Sequence, residues 1–115
     1  MLPARSRMTA AADFSSAMRL GTRSGRATVV VHMRQTGNAQ SIAGFAVSKA
    51  VGGAVIRNRV KRRLRAIMRE LLPTLPDGTA VVIRALPRSA EVDFARLRAD
   101  VTDAVGTASR KLSAV

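Results

Sequence analysis

Six of the nine residues from Arg57 to Arg65 are basic, and no acid follows before Glu70. A guanidinium is a permanently charged planar fork of donors that meets a phosphate in two-point geometry. On a helix, residues three and four apart share a face, so Asn58, Arg59, Lys61, Arg62, Arg65 and Arg69 spread over one broad surface, with Arg57 and Arg63 at its edges. Solvated helices ordinarily alternate sign through Glu–Arg pairs. Here like charges repel by about 0.2–0.5 kcal/mol per neighbouring pair, and the arrangement calls for an anionic partner. Gly52-Gly53, just ahead of this helix, leaves backbone amides as a second phosphate cradle.

Catalytic chemistry finds little to work with. Two-metal cleavage of RNA needs several carboxylates converging on the ions, yet Asp13 is the one acid among the first 69 residues, where it suits a helix start. Asp100 and Asp103 lie one turn apart, but Arg96 stands four residues before Asp100 and reads as its surface ion-pair partner. His32 is the single histidine and sits in a valine-rich strand, whereas metal-independent cleavage needs a second acid–base group. The absence of Cys removes thiolate zinc sites, disulfides and thiol nucleophiles. No catalytic residue and no protein-bound metal is expected.

The chain has 115 residues, 47% of them hydrophobic, enough for one domain with a real core. Lys and Arg number 20 against seven Asp and Glu, a formal charge of +13. From Met1 to Arg69 there are 14 basic residues and one acid; from Glu70 onward the two signs balance at six each. One strongly positive side is therefore expected, suited to a polyanion. Three Phe and no Trp or Tyr leave few aromatic platforms for stacked bases. No secretory signal or membrane-length apolar run is visible, so a cytoplasmic location is expected.

These residues need elements to hold them. Residues 10–20 read as a helix capped by Thr9 and ended by Gly21, after a flexible tail over 1–7. Residues 21–26 read as a basic loop. Residues 27–34, with Val29-Val30-Val31, and 42–48, with alternating Ala43, Phe45 and Val47, read as an antiparallel hairpin. Residues 54–72 carry an apolar stripe of Ile56, Val60, Leu64, Ile67, Met68 and Leu71 and form the longest helix, ended by Pro73. Residues 80–83 form a strand after the Asp77-Gly78 turn. Asp93 caps a last helix, with Val92 and Leu97 as a hydrophobic staple and Phe94, Leu97, Val101, Val105, Ala108 and Leu112 on its stripe. The sum is a single α+β domain, a small two-layer α/β sandwich.

A longer string is more specific than the basic run. Ala46-Val47-Ser48-Lys49, Gly52, Ala54-Val55, Arg57-Asn58-Arg59-Val60-Lys61-Arg62 and Arg65 closely resemble the signature of the protein component of bacterial ribonuclease P. Asp13-Phe14 with Gly21 is similar to that family's first helix, and Val81 to Ala85 followed by Pro87 to its last strand and loop. The resemblance spans roughly residues 7 to 112. It implies about four strands in a mixed sheet, three helices and a left-handed βαβ crossover, a fold like that of ribosomal proteins. It implies a non-catalytic protein cofactor of a catalytic RNA that removes 5′ leaders from precursor tRNA, using magnesium held mainly by RNA. By that resemblance Lys49, Arg57, Asn58, Arg59, Lys61, Arg62 and Arg65 face the catalytic RNA, and Phe14, Met18 and Val31 line a cleft for the substrate leader.

The chain departs from the pattern at Met18, where a second Phe is usual, at Val31, near a frequent Tyr, and at Ala50, where a second Lys is usual. Its cleft therefore offers less aromatic stacking, worth about 1–3 kcal/mol per base where present. The partners implied are the catalytic RNA and precursor tRNA, with no membrane and no obligate protein partner. A general RNA-binding or ribosome-associated protein is the alternative reading; it needs the basic helix but no Phe14/Met18 cleft. A membrane-surface role would require a bulky lipid-inserting helix face, whereas this stripe is continuous with a core.

Overall fold

The computed structural model describes residues 21–37 and 39–113. Their order is β1 (Thr22–Gly25), β2 (Val29–Gln35), β3 (Ile42–Ala46), α1 (Ala54–Leu71), β4 (Thr79–Ala85) and α2 (Phe94–Ser113), with 3-10 turns at Leu72–Thr74 and Pro87–Ala90. The expected helix over residues 10–20 and the tail over 1–7 lie outside the described residues.

The sheet is four-stranded and mixed, in the order β1-β2-β4-β3. β2 is antiparallel to β1 and to β4, and β3 is parallel to β4. The chain passes between the two parallel neighbours through α1. The expected hairpin between 27–34 and 42–48 is not formed, because β4 lies between those strands. Its segment Ala80-Val81-Val82-Ile83 is apolar on both faces and fully buried, which suits a central position. The connection from β2 to β3 is pinned to the turn before β4: the Thr36 amide and hydroxyl donate to the Gly78 carbonyl, and Ser41 Oγ donates to the Pro76 carbonyl. The true hairpin partner of β2 is β1, from the segment read as a loop. The Arg26 amide donates to the Val29 carbonyl at 2.8 Å and closes that turn.

Both helices pack on one face of the sheet. Val29, Val31 and Met33 of β2, Val81 and Ile83 of β4 and Ala43 of β3 meet Val60, Leu64, Ile67 and Met68 of α1 and Leu97, Val101, Ala104, Val105 and Ala108 of α2. The α1 stripe is as expected except that Ile56 is partly exposed and packs over Gly52. Pro73, with no amide to donate, turns the end of α1 into the 3-10 turn. Asp93 caps α2, its Oδ1 accepting from the Arg96 amide at 2.8 Å, with Val92 and Leu97 joined in the core beside it.

Asp100 is not the surface residue its spacing suggested. It is 7% exposed, and its carboxylate accepts from the Thr28 hydroxyl at 2.7 Å and from Arg96 Nε at 3.2 Å. The pair fastens α2 to the β1–β2 turn.

Candidate nucleic-acid interface

α1 begins at Ala54 after the N-cap residue Gly53, with no side-chain cap and no acid in its first turn. Helix starts normally attract a carboxylate or hydroxyl to their free amides. Part of the expected glycine cradle is used internally, since the Gly52 amide donates to the Lys49 carbonyl at 3.2 Å. Gly52 itself is required by a close approach: a Cβ there would lie 2.9 Å from Ile56 Cγ2.

With the apolar stripe facing the sheet, the basic residues face outward. Asn58, Arg59, Arg62 and Lys49 are exposed; Arg57, Lys61 and Arg65 are half-buried. Asn58, Lys61, Arg62, Arg65 and Ala66 line a shallow concavity of about 370 Å³. Among the described residues, the ion pairs are Arg96–Asp100 and Arg98–Glu70, so no cation from Arg57 to Arg69 has a carboxylate partner. Two α1 arginines are tied elsewhere. Arg59 donates to the Ala90 carbonyl at 3.3 Å, and Arg63 to the Val92 carbonyl at 3.2 Å. Arg57 Nε is buried without a hydrogen-bond partner among the described residues. Val55 is 83% exposed and lies three, four and seven residues before Asn58, Arg59 and Arg62 on the same face. Nothing in the sequence marks that apolar point as a surface residue.

The opposite face of the sheet is a second candidate surface. Side chains alternate along a strand, so Val31, 0% exposed and packed under the helices, cannot line a cleft on the other side. Val31 is thus a core residue and is not presented at a surface; Val30 and His32, 6% and 5% exposed, are buried as well. It is Val30 and His32 that point away from the helices, with Ile42 on β3 and Ala80, Val82 and Arg84 on β4. Phe14 and Met18, the other two cleft candidates, lie outside the described residues.

His32 is 5% exposed, and neither ring nitrogen has a hydrogen-bond partner among the described residues. Burial, then the neighbouring Arg84 and Arg23 guanidiniums, hold its imidazole below the usual histidine range. The neutral ring keeps one donor and one acceptor nitrogen. The sequence signal for it was the strand's parity, masked by three consecutive valines.

Among the described residues, no three of His, Cys, Asp and Glu gather as a metal would require. No described helix is long and apolar enough to cross a membrane.

The family model described as Ribonuclease P matches residues 2–109. The chain is 49% identical over 111 residues to the ribonuclease P protein component of Kocuria rhizophila, covering 96% of this chain and 98% of the relative. It is 46% identical over 114 residues to that of Streptomyces avermitilis, covering 91% and 93%. Among solved structures, the RNase P protein of Staphylococcus aureus superposes with a TM-score of 0.82 at 20% identity over 90% of this chain and 94% of that one, a likeness of fold. The RNase P protein of Thermotoga maritima superposes with a TM-score of 0.75 at 27% identity over 90% and 96%. A match along nearly the whole chain shows that this chain belongs to the ribonuclease P protein family.

Proposed function

We propose that this chain is the protein subunit of a ribonuclease P ribonucleoprotein and promotes removal of 5′ leaders from precursor tRNA. The observation that carries the reading is the row of arginines on α1 with no carboxylate partner among the described residues. The phosphates of the catalytic RNA are the compensating charge, taken by Lys49, Arg57, Asn58, Arg59, Lys61, Arg62 and Arg65. The three-helix count and the left-handed sense of the β3–α1–β4 crossover belong to the same reading.

The chain's work is positional. Two polyanions, catalytic RNA and substrate, repel each other; a protein carrying +13 between them lowers that cost. The second sheet face, with His32 between Arg23 and Arg84, takes the single-stranded leader, together with Phe14 and Met18. There the Arg23 and Arg84 guanidiniums hold backbone phosphates, while the buried neutral His32 ring keeps further positive charge out of the sheet between them. Magnesium held by RNA and substrate supplies the cleavage chemistry, and no step of it is assigned to the side chains described here. The protein by itself is inactive on this reading.

The test is single-turnover cleavage of a leader-bearing precursor tRNA by a bacterial ribonuclease P RNA at low magnesium, with and without the protein, and with the protein by itself. Cleavage that needs the RNA and is rescued by the protein is the expected result. Salt-sensitive RNA binding without rescue would favour a general RNA-binding protein.

A further inference from the structure

The positive charge is not confined to the α1 side. The fold brings Arg110 and Lys111, from the charge-balanced half of the sequence, against Arg23 and Arg26 at the β1 edge. Lys111 Nζ donates to the Arg23 carbonyl at 2.7 Å. Arg26 and Arg110 converge on one hydroxyl, each donating to Thr107 Oγ1, at 3.0 and 3.1 Å. Arg26 is further held by Ser24 Oγ at 3.1 Å, the Gly25 carbonyl at 2.8 Å and the Asp103 carbonyl at 3.4 Å. None of these four cations has a carboxylate partner among the described residues.

A helix C-terminus favours cations, which accounts for Arg110 and Lys111. It does not account for a second guanidinium held beside Arg110 on neutral acceptors. Nor is the cluster an extension of α1. On the same face of the sheet, α2 lies over β1 and β2, whereas α1 packs against β3, at the opposite edge. The cluster is instead continuous with the face that carries His32. Arg23 is the β1 partner of His32 in the strand register, and its guanidinium acts on that imidazole. The positive path therefore runs from Arg84 past His32 to Arg23, and around the β1 edge to Arg26, Arg110 and Lys111.

We infer that this edge is a second phosphate-binding site, and that it takes the backbone of the distal leader as the strand leaves the sheet face. Arg110, Lys111 and Arg23, all exposed, contact phosphates; Arg26, its guanidinium held by four acceptors, is a fixed charge that positions Arg110. The inference rests on the leader reading given above.

The experiment measures precursor tRNA affinity of the reconstituted holoenzyme against salt, with leaders of roughly 4 and roughly 16 nucleotides, the range a strand-binding domain spans. The variants are the double substitution R110A/K111A and the charge-keeping double R110K/K111R. With the alanine pair, affinity for the long leader falls roughly tenfold, with a salt slope lower by about 0.7 for each phosphate that is no longer neutralised. Binding of the short leader holds, and the charge-keeping pair stays at the wild-type level. Equal loss on both leaders, or loss of binding to the catalytic RNA itself, overturns the assignment of this edge to the leader. So does an unchanged long-leader affinity in a holoenzyme that still prefers leader-bearing tRNA. A wild-type holoenzyme indifferent to any leader overturns the leader reading itself, and this inference with it.

Discussion

The Arg63 guanidinium donates to the Val92 carbonyl at 3.2 Å, tying α1 to the loop that leads into α2. Arg63 thus belongs to the basic run by sequence and to the scaffold by geometry. Its loss removes one charge-assisted hydrogen bond from a half-buried site. Arg63→Ala is expected to lower unfolding free energy by about 1 kcal/mol in urea denaturation. The salt slope of RNA binding should stay at the wild-type value, in contrast to Arg62→Ala.

The Thr28–Asp100 bond is the strongest candidate for a buried polar clamp. Replacing Thr28 with Val keeps the shape and leaves Asp100 Oδ2 without its donor. Such an orphaned acceptor costs about 1–3 kcal/mol, read as a lower thermal midpoint. Thr28→Ser, which restores the hydroxyl, should recover most of it.

His32 gives the fold a pH dependence. Its folded-state pKa lies below the unfolded one, through burial and the Arg84 and Arg23 charges. As pH falls through the unfolded histidine range the unfolded chain takes up the proton first, so stability drops on acidification and is fully present above that range. Stability of the wild-type protein is expected to fall between pH 7.5 and pH 5.5, roughly one unit either side of the ordinary histidine value, and His32→Gln should flatten that fall. A variant as pH-sensitive as wild type would place the dependence elsewhere.

Gly52 predicts a steric test at the start of the arginine helix. Gly52→Ala sets a methyl group 2.9 Å from Ile56 Cγ2 and is expected to cost about 1–3 kcal/mol. Adding Ile56→Ala removes the Cγ2 and Cδ1 contacts but leaves Ile56 Cβ at 3.0 Å and the positive φ of 156° at Gly52, so the double variant should recover only part of the loss, while still being more stable than the sum of the two single losses implies.

Much of this was legible before the structure, for reasons that differ by element. α1 and α2 carry stripes of apolar residues long enough to specify both the helix and its buried face, and Asp93 with Val92 and Leu97 marks the start of α2. Strand order was not legible, because pairing is set by contacts far apart in the chain. Ile42 to Ala46 follows β2 closely, yet its partner is β4, apolar on both faces and better suited to the middle of the sheet. β1, the segment Thr22-Arg23-Ser24-Gly25, has little strand propensity of its own and is recruited by the edge of β2.

The candidate site divides in the same way. The arginine row follows from spacing on one helix, while Val31 could not be told from Val30 or His32, since three valines in succession erase the alternation that marks a strand's two faces. The β1-edge cluster joins Arg26 to Thr107 and Arg23 to Lys111, across more than 80 positions of chain. No local pattern signals such a meeting.

The central claim is that α1 holds the catalytic RNA through its phosphates. It is tested most directly by the salt dependence of ribonuclease P RNA binding for wild type and for R59A/R62A/R65A, after circular dichroism shows both folded. The account predicts much weaker binding by the triple variant, with a log–log salt slope lower by about 0.7–0.9 for each phosphate left without its cation. A slope identical to wild type would contradict it.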